Sequence, residues 1–205
     1  MCNKFFERAY RTTKQQEVED LYEDWAATYD ADVIENGYMT PARCASALAS
    51  ELANRDAPIL DFACGTGLSG MAVAEHGYRV IDGIDLSESM LETAEERGIY
   101  RELFKAEPDQ KPDVAPGDYS AITAMGAISP GAAPATYFDT LLDCLAPGGL
   151  FVFSYNEHTL ADPDYTSRLD NALEKGIVRQ RFHEHGDHIQ KLGSKSSVYV
   201  LEKLV

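Results

Sequence analysis

A glycine-rich turn behind an apolar stretch carries the clearest chemical signal in this sequence. Residues 59–64 read ILDFAC, and three glycines follow in the spacing Gly65-x-Gly67-x-x-Gly70. A strand that leads into such a turn and then into a helix presents bare backbone N–H groups and a helix N-terminus to a ligand. The glycine spacing alone also fits a tight turn without a ligand, so neighbouring residues are needed to choose between the two.

The position of Asp85 indicates that the glycine-rich turn binds a ligand. Asp85 ends the next apolar stretch and lies 20 residues after Gly65, the spacing at which a carboxylate accepts hydrogen bonds from the hydroxyls of a ribose. Asp85 could instead cap the helix that follows, although Ser87 can do so equally well. The two features together predict a nucleoside-bearing ligand.

A second acid, Asp61, distinguishes a nucleoside ligand with a pyrophosphate from one with a cationic group. It lies at the end of the first predicted strand, upstream of the glycines. A pyrophosphate would gain nothing from a negative charge at that point, whereas a cationic ammonium or sulfonium group would be stabilised by it. Asp61 therefore favours a cationic ligand, and an NAD(P)-dependent oxidoreductase is the alternative.

Composition narrows the classes of partner. The 205 residues include 18 basic and 34 acidic side chains, a formal net charge of −16, and the acidic excess is spread along the chain. No segment is basic, so we expect no nucleic-acid partner and no anionic membrane surface. The oligomeric state is not predicted.

The chain also lacks the patterns of exported and membrane proteins. No run approaches the roughly 20 apolar residues that cross a bilayer, and no hydrophobic signal region follows Met1. The four cysteines are far apart, which is typical of reduced thiols rather than disulfides or a zinc site. We expect a cytoplasmic location and no bound metal.

The order of the predicted elements indicates an α/β fold. Residues 17–29 and 42–54 are predicted helices, and beyond residue 57 short apolar runs alternate with amphipathic segments, as in βαβ units. Two strand-like runs, residues 177–185 and 196–204, follow each other without a helix and must be antiparallel. The alternating segments between the first two helices and these last two strands are residues 58–63, 68–76, 79–85, 88–97, 100–106, 119–125, 134–146, 150–155 and 165–174.

Several ordered motifs resemble class I S-adenosylmethionine-dependent methyltransferases, specifically the group similar to the ubiquinone/menaquinone biosynthesis methyltransferases and the Williams–Beuren syndrome region methyltransferase-like proteins. The matching segments are residues 25–30 (WAATYD), 61–70, 85–91, 145–149 and 198–203. The resemblance implies a Rossmann-like, doubly wound, seven-stranded mixed sheet with its last strand antiparallel, preceded by N-terminal helices. It divides the chain into a helical cap (1–57) and a cofactor domain (58–205).

S-adenosyl-L-methionine is the cofactor that this resemblance implies, and it also suggests the binding residues. They are Asp61, Ala63, Gly65, Gly67 and Met125 for the methionine part, Asp85 for the ribose, Leu86, Met90, Ala106 and Glu107 for the adenine, and Tyr29 with Tyr22 and Trp25 as a cover. Ala63 replaces the family's usual first glycine. The alternatives are core packing for Leu86 and Met90, a solvated acid for Glu107, and a helix anchor for Trp25.

The predicted reaction is in-line methyl transfer to a small-molecule acceptor. If the acceptor must lose a proton, His158 after the fifth strand is the candidate base, although a lone loop histidine is more often solvated. His183 and His185 share a strand face and could bind a metal, but a hairpin turn at Gly186-Asp187 with polar flanks is favoured. A protein acceptor and a non-catalytic cofactor-binding protein stay open as alternatives.

Overall fold

The computed structural model of the chain describes residues 15–108 and 110–205. Two helices precede the sheet, α1 (Gln15–Glu35) and α2 (Thr40–Glu51). Pro41 lies in the first turn of α2, where its missing N–H costs no hydrogen bond. Some side chains of α1, including that of Tyr22, lie outside the described part of the chain.

Seven strands form one mixed sheet in the order β3-β2-β1-β4-β5-β7-β6. Only β7 runs against its neighbours, because it pairs antiparallel with both β5 and β6 while the other pairings are parallel. The predicted Rossmann-like fold with a reversed last strand is confirmed. The strands are β1 (Ile59–Phe62), β2 (Ile81–Asp85), β3 (Glu102–Lys105), β4 (Ala121–Ala124), β5 (Leu150–Asn156), β6 (Val178–Asp187) and β7 (Lys195–Lys203).

Further helices connect the strands on both faces of the sheet. Three of them begin at a side chain that accepts a backbone N–H: Ser87 from Met90, Asn156 from Thr159, and Asp162 from Asp164. These helices are α3 (Leu68–Glu75), α4 (Glu88–Glu96), α5 (Tyr137–Asp143), α6 (Glu157–Leu160) and α7 (Pro163–Glu174), with a 3-10 turn at Gln190–Leu192.

The sheet separates two apolar layers. Phe138, Phe151 and Phe153 pack on one face with α5. Cys44 and Leu48 of α2 pack on the other face. Since α2 covers the sheet, it belongs to the same core as the strands, and the domain boundary at residue 57 stays a prediction.

The last hairpin differs from the prediction. The expected turn at Gly186-Asp187 is wrong, because Gly186 pairs with Ser196 and Asp187 pairs with Lys195, so both residues belong to the ladder. The chain reverses over residues 188–194 instead. Within the described ranges, no helix is long and apolar enough to cross a membrane.

Candidate functional site

A cavity opens at the carboxyl edge of β1, β2 and β4, the place where open α/β sheets bind ligands. With its mouth it holds about 1080 Å³ of space. Its wall consists of Tyr29, Tyr38, Phe62, Ala63, Gly65, Ile84, Asp85, Leu86, Ser87, Met90, Ala106, Gln110, Pro112, Met125, Gly126, Ala127, Ala132, Ala133, Pro134 and Tyr137. Eight of the residues predicted from the sequence lie in this wall.

The glycine loop forms the floor of the cavity between β1 and α3. Ala63, Gly65 and Gly67 have φ angles of 54°, 53° and 88°, values that residues with a Cβ rarely adopt. Ala63 and Gly65 line the cavity. Gly67 lies behind the wall, where a Cβ would stand 2.9 Å from Arg97 Cδ. The left-handed φ of Ala63 explains why a glycine suits this position.

Asp85 presents hydrogen-bond acceptors to the cavity. Its Oδ2 accepts the Gly65 N–H over 2.8 Å, and its Oδ1 accepts the Ser87 N–H over 2.9 Å. A carboxylate has about four acceptor positions, so Asp85 keeps acceptor capacity for a ribose hydroxyl. Burial raises the pKa of Asp85, and the backbone N–H groups of Ser87 and Gly65 oppose that rise.

Apolar side chains flank Asp85. Leu86 and Met90 lie in the wall at the start of α4, and Ala106 lies in the wall at the end of β3. Met90 is only 2% exposed, so it serves both the core and the cavity. Glu107 is exposed to solvent and lies outside the wall, and Gln110 lines the cavity beside it.

Asp61 lies beneath the loop, outside the cavity wall. It is fully buried, and its carboxylate accepts hydrogen bonds from the hydroxyls of Ser69, Tyr100 and Thr123 over 2.6, 2.8 and 2.7 Å. Burial raises the pKa of Asp61, and the three hydroxyls counteract it. In this position, the carboxylate holds the loop from below.

Helix α1 crosses the mouth and is bound at two points. Glu23 Oε2 accepts hydrogen bonds from Ser87 and Ser89, both over 2.6 Å. Asp30 accepts a hydrogen bond from Thr66 over 2.5 Å and pairs with Arg97. Because these contacts reach both the glycine loop and α4, they hold the helix beside the cavity.

Two aromatic residues of α1 have different surroundings. Tyr29 lies in the cavity wall. Trp25 is 2% exposed, packs against Val33 and Ile189, and donates a hydrogen bond to Asp32 Oδ2 over 2.8 Å. The structure therefore places Trp25 in the core as an anchor of the helix.

These residues fit S-adenosylmethionine. The remaining acceptor capacity of Asp85 suits a ribose, Leu86 and Met90 offer an apolar surface for a base, and the backbone at Ala63 and Gly65 is open to the remainder of the ligand. A family model described as a methyltransferase domain matches residues 37–199. The chain belongs to this family. It is a class I S-adenosylmethionine-dependent methyltransferase.

Two relatives show the similarity of this chain to other methyltransferases. Methyltransferase-like protein 27 of Homo sapiens is 32% identical over 158 residues, 76% of this chain and 64% of that protein. The 18S rRNA (guanine(1575)-N(7))-methyltransferase of Saccharomyces cerevisiae is 31% identical over 131 residues, 58% of this chain and 46% of that protein. The chain thus spans less than two thirds of the length of these relatives.

A solved structure shows the same fold. The 1,6-didemethyltoxoflavin-N1-methyltransferase of Burkholderia thailandensis, with bound 1,6-didemethyltoxoflavin and S-adenosylhomocysteine, has a TM-score of 0.63 and 19% identity. The match covers 90% of this chain and 88% of that chain. The similarity concerns the fold, since one fold supports many acceptors.

Two groups considered in the sequence analysis lie outside the cavity wall of the methyltransferase: His158, and the pair His183 and His185. His158 is exposed on α6 and does not line the wall. His183 stacks on Tyr199 with ring centroids 4.5 Å apart, and His185 Nδ1 lies 3.1 Å from Ser197 Oγ. Among the described residues, no group of three or more His, Cys, Asp or Glu is arranged for a metal.

Three aromatic residues of the methyltransferase's wall were missed at the sequence level: Tyr38, Phe62 and Tyr137. Phe62 ends β1 directly before Ala63, so its position beside the loop is a signal that points to the cavity. Tyr137 packs on Phe62 with ring centroids 5.1 Å apart. Tyr38 carries no such signal, because its neighbours come from distant parts of the chain.

Proposed function

We propose that this methyltransferase acts on a small, largely apolar acceptor held in the same cavity as S-adenosylmethionine. The observation that carries the proposal is the composition of the wall beyond the cofactor residues. That part includes the uncharged residues Ala127, Ala132, Ala133 and Pro134 from the segment between β4 and α5, Tyr137 at the start of α5, and Tyr38. A concave apolar wall with few polar groups is typical of small-molecule sites.

S-adenosylmethionine supplies a methyl group that is already activated on a sulfonium. The main task of the chain is therefore to hold donor and acceptor in line, which can contribute roughly 7–11 kcal/mol to lowering the barrier. Phe62 and Tyr137 pack together and give the wall an apolar surface against which an acceptor can lie. Tyr29, held by the contacts of α1 with the glycine loop and α4, covers the cavity from the other side.

We further propose that the binding roles follow the geometry of the wall. Asp85 binds the ribose, Leu86, Met90 and Ala106 contact the adenine, and Ala63, Gly65 and Met125 contact the methionine part. Asp61 and Gly67 support the loop from behind the wall. His158, exposed on α6, is a weak candidate for a base.

An RNA acceptor is the second candidate, and the relatives named as 18S rRNA methyltransferases favour it. Charge opposes it, because RNA-binding proteins neutralise phosphates with basic side chains, whereas this chain carries a net −16. The apolar wall also offers no cation to a phosphate among its described residues.

Methyl transfer from S-adenosylmethionine carrying a tritiated methyl group distinguishes these candidates. The protein is incubated separately with the low-mass fraction of a cell extract, with the protein fraction and with total RNA. We expect label in the low-mass fraction, and at least tenfold slower labelling with D85N at a subsaturating concentration of S-adenosylmethionine, because D85N loses an acceptor for the ribose. Label confined to RNA or protein contradicts the small-molecule proposal. Binding of S-adenosylhomocysteine without label in any fraction indicates a non-catalytic binding protein.

A further inference from the structure

Tyr38 reaches into the cavity from the connection between α1 and α2. It lines the wall together with Met125 and Gly126 at the carboxyl end of β4. A Cβ on Gly126 would lie 2.4 Å from the Tyr38 hydroxyl oxygen, and Gly126 has a φ of 71°. The phenol of this lining residue therefore occupies the space that a side chain at position 126 would need, beside the carboxyl end of β4.

The backbone around Tyr38 is fixed by the turn between β6 and β7. Tyr38 forms an isolated antiparallel bridge with Ile189. On either side of it, Met39 N–H donates to the His188 carbonyl over 2.8 Å, and Gln190 N–H donates to the Gly37 carbonyl over 3.0 Å. These two hydrogen bonds hold the backbone of Tyr38 more firmly than a free loop would.

His188 supports the Tyr38 ring from behind. The imidazole is 6% exposed and meets the phenol edge to face, with ring centroids 5.3 Å apart and an interplanar angle of 86°. Its Nδ1 lies 2.7 Å from Thr40 Oγ1, which in turn lies 3.1 Å from Ser196 Oγ. This buried chain of contacts fixes the imidazole, and through it the phenol.

The electrostatic surroundings keep the imidazole neutral. Arg43 of α2 and Glu157 of α6 are the charged groups that act on His188, and they have opposite effects. Burial, followed by the positive charge of Arg43, lowers the pKa of His188 to about 4. Near neutral pH, Tyr38 therefore packs against an uncharged imidazole.

We propose that Tyr38 contacts the methyl acceptor through its hydroxyl and selects acceptors with a hydrogen-bonding oxygen or nitrogen, and that His188 is its positioning residue. This inference rests on the proposed small-molecule function. The acceptor is an uncharged molecule whose polar atom meets Tyr38, while its apolar part lies against Tyr137 and the alanines of the wall.

The test combines the low-mass labelling assay with cofactor binding. Y38F should bind S-adenosylhomocysteine within twofold of the wild type, as measured by isothermal titration, and should transfer label at least tenfold more slowly. Y119F is the matched control, because Tyr119 bonds Asp82 away from the cavity, and its transfer should be unchanged. Wild-type transfer by Y38F overturns this inference and leaves the proposed function standing.

A second variant tests the positioning role. H188Q should require at least a threefold higher concentration of the low-mass fraction for half-maximal transfer, with the maximal rate less affected and binding of S-adenosylhomocysteine unchanged. In protein labelled with 3-fluorotyrosine, the ¹⁹F resonance that is missing from Y38F should shift in H188Q. An unchanged half-saturation or an unchanged resonance overturns the role of His188. No labelling by the wild type overturns the proposed function and this inference together.

Discussion

The Tyr100 hydroxyl donates a hydrogen bond to Asp61 Oδ2 over 2.8 Å beneath the glycine loop. The Tyr100 ring reaches this point because Gly70 has no side chain, since a Cβ there would lie 2.3 Å from the phenolic oxygen. The third glycine of the loop pattern thus makes room for a tyrosine rather than for a ligand. The packing of Tyr100 against Gly70 links the loop to the segment before β3.

Y100F should destabilise the protein and weaken cofactor binding. The substitution removes one of three hydroxyl donors from a fully buried carboxylate, which costs about 1–3 kcal/mol. The pKa of Asp61, already raised by burial, should rise further, so less negative charge lies under the loop. Urea unfolding measures the first effect, and isothermal titration with S-adenosylhomocysteine, where we expect several-fold weaker binding, measures the second.

Y119F separates stability from binding in this comparison. Tyr119 donates to the buried carboxylate of Asp82 over 2.7 Å, and Arg101 pairs with the same carboxylate. The variant should lose a comparable amount of stability without any change in affinity for S-adenosylhomocysteine. If Y100F and Y119F have the same affinity, the Tyr100–Asp61 contact is purely structural.

Alanine at the two loop glycines should have unequal effects on stability. Both have left-handed φ angles, which cost a residue with a Cβ roughly 1–2 kcal/mol. At Gly65 a Cβ meets nothing within 4 Å, whereas at Gly67 it overlaps the side chains of Arg97 and Tyr100. Arg97 cannot move aside without losing its pairing with Asp30. G67A should therefore unfold at a lower urea concentration than G65A.

Cofactor affinity provides the complementary measurement for this pair. Gly65 lines the cavity and Gly67 does not. Relative to the stability that each variant loses, G65A should weaken binding of S-adenosylhomocysteine more than G67A does. The matched variant A63G removes a strained methyl group from the wall and should bind at least as tightly as the wild type. Weaker binding by A63G would show that the methyl group contributes a contact.

Residues close together in the chain were predictable from the sequence. Asp85, Leu86 and Met90 follow one another where β2 ends and α4 begins, so local strand and helix signals place them at one edge of the sheet. The reversed last strand was predictable for the same reason, because a short link between two strands forces antiparallel pairing.

Contacts between distant segments were not predictable. The sequence indicates that Asp61 lies near the loop, but not that Ser69, Tyr100 and Thr123 surround its carboxylate. Tyr38 enters the cavity through pairing with Ile189 at the far end of the chain. Such positions depend on tertiary packing, which hydrophobic periodicity does not encode.

D85N should weaken binding of S-adenosylhomocysteine by roughly 10- to 100-fold, corresponding to about 1.4–2.8 kcal/mol. In the wild type, both carboxylate oxygens of Asp85 accept backbone N–H groups. In D85N, an amide N–H₂ donor replaces one of these oxygens. E88Q is the control, since Glu88 is exposed on the same helix and pairs with Lys105, and its affinity should not change. Wild-type affinity in D85N would remove Asp85 from the proposed ribose site.

The stability of the protein should depend on pH through His188. Folding lowers the pKa of His188 from its ordinary 6.5 to about 4, so the unfolded chain binds more protons between these values. The contribution of the neutral imidazole is complete above pH 6.5 and is lost as the pH falls through 4. By pH 5 the loss should reach about 2 kcal/mol.

Urea unfolding of the wild type and H188Q from pH 7.5 to 5 checks this contribution. Carboxyl groups with a raised pKa, such as Asp61 and Asp85, affect both proteins alike and cancel in the difference. We expect the stability of the wild type relative to H188Q to decline steadily as the pH falls. A constant difference would mean that the imidazole takes up protons alike in the folded and the unfolded protein, which contradicts the buried, neutral support that we assign to His188.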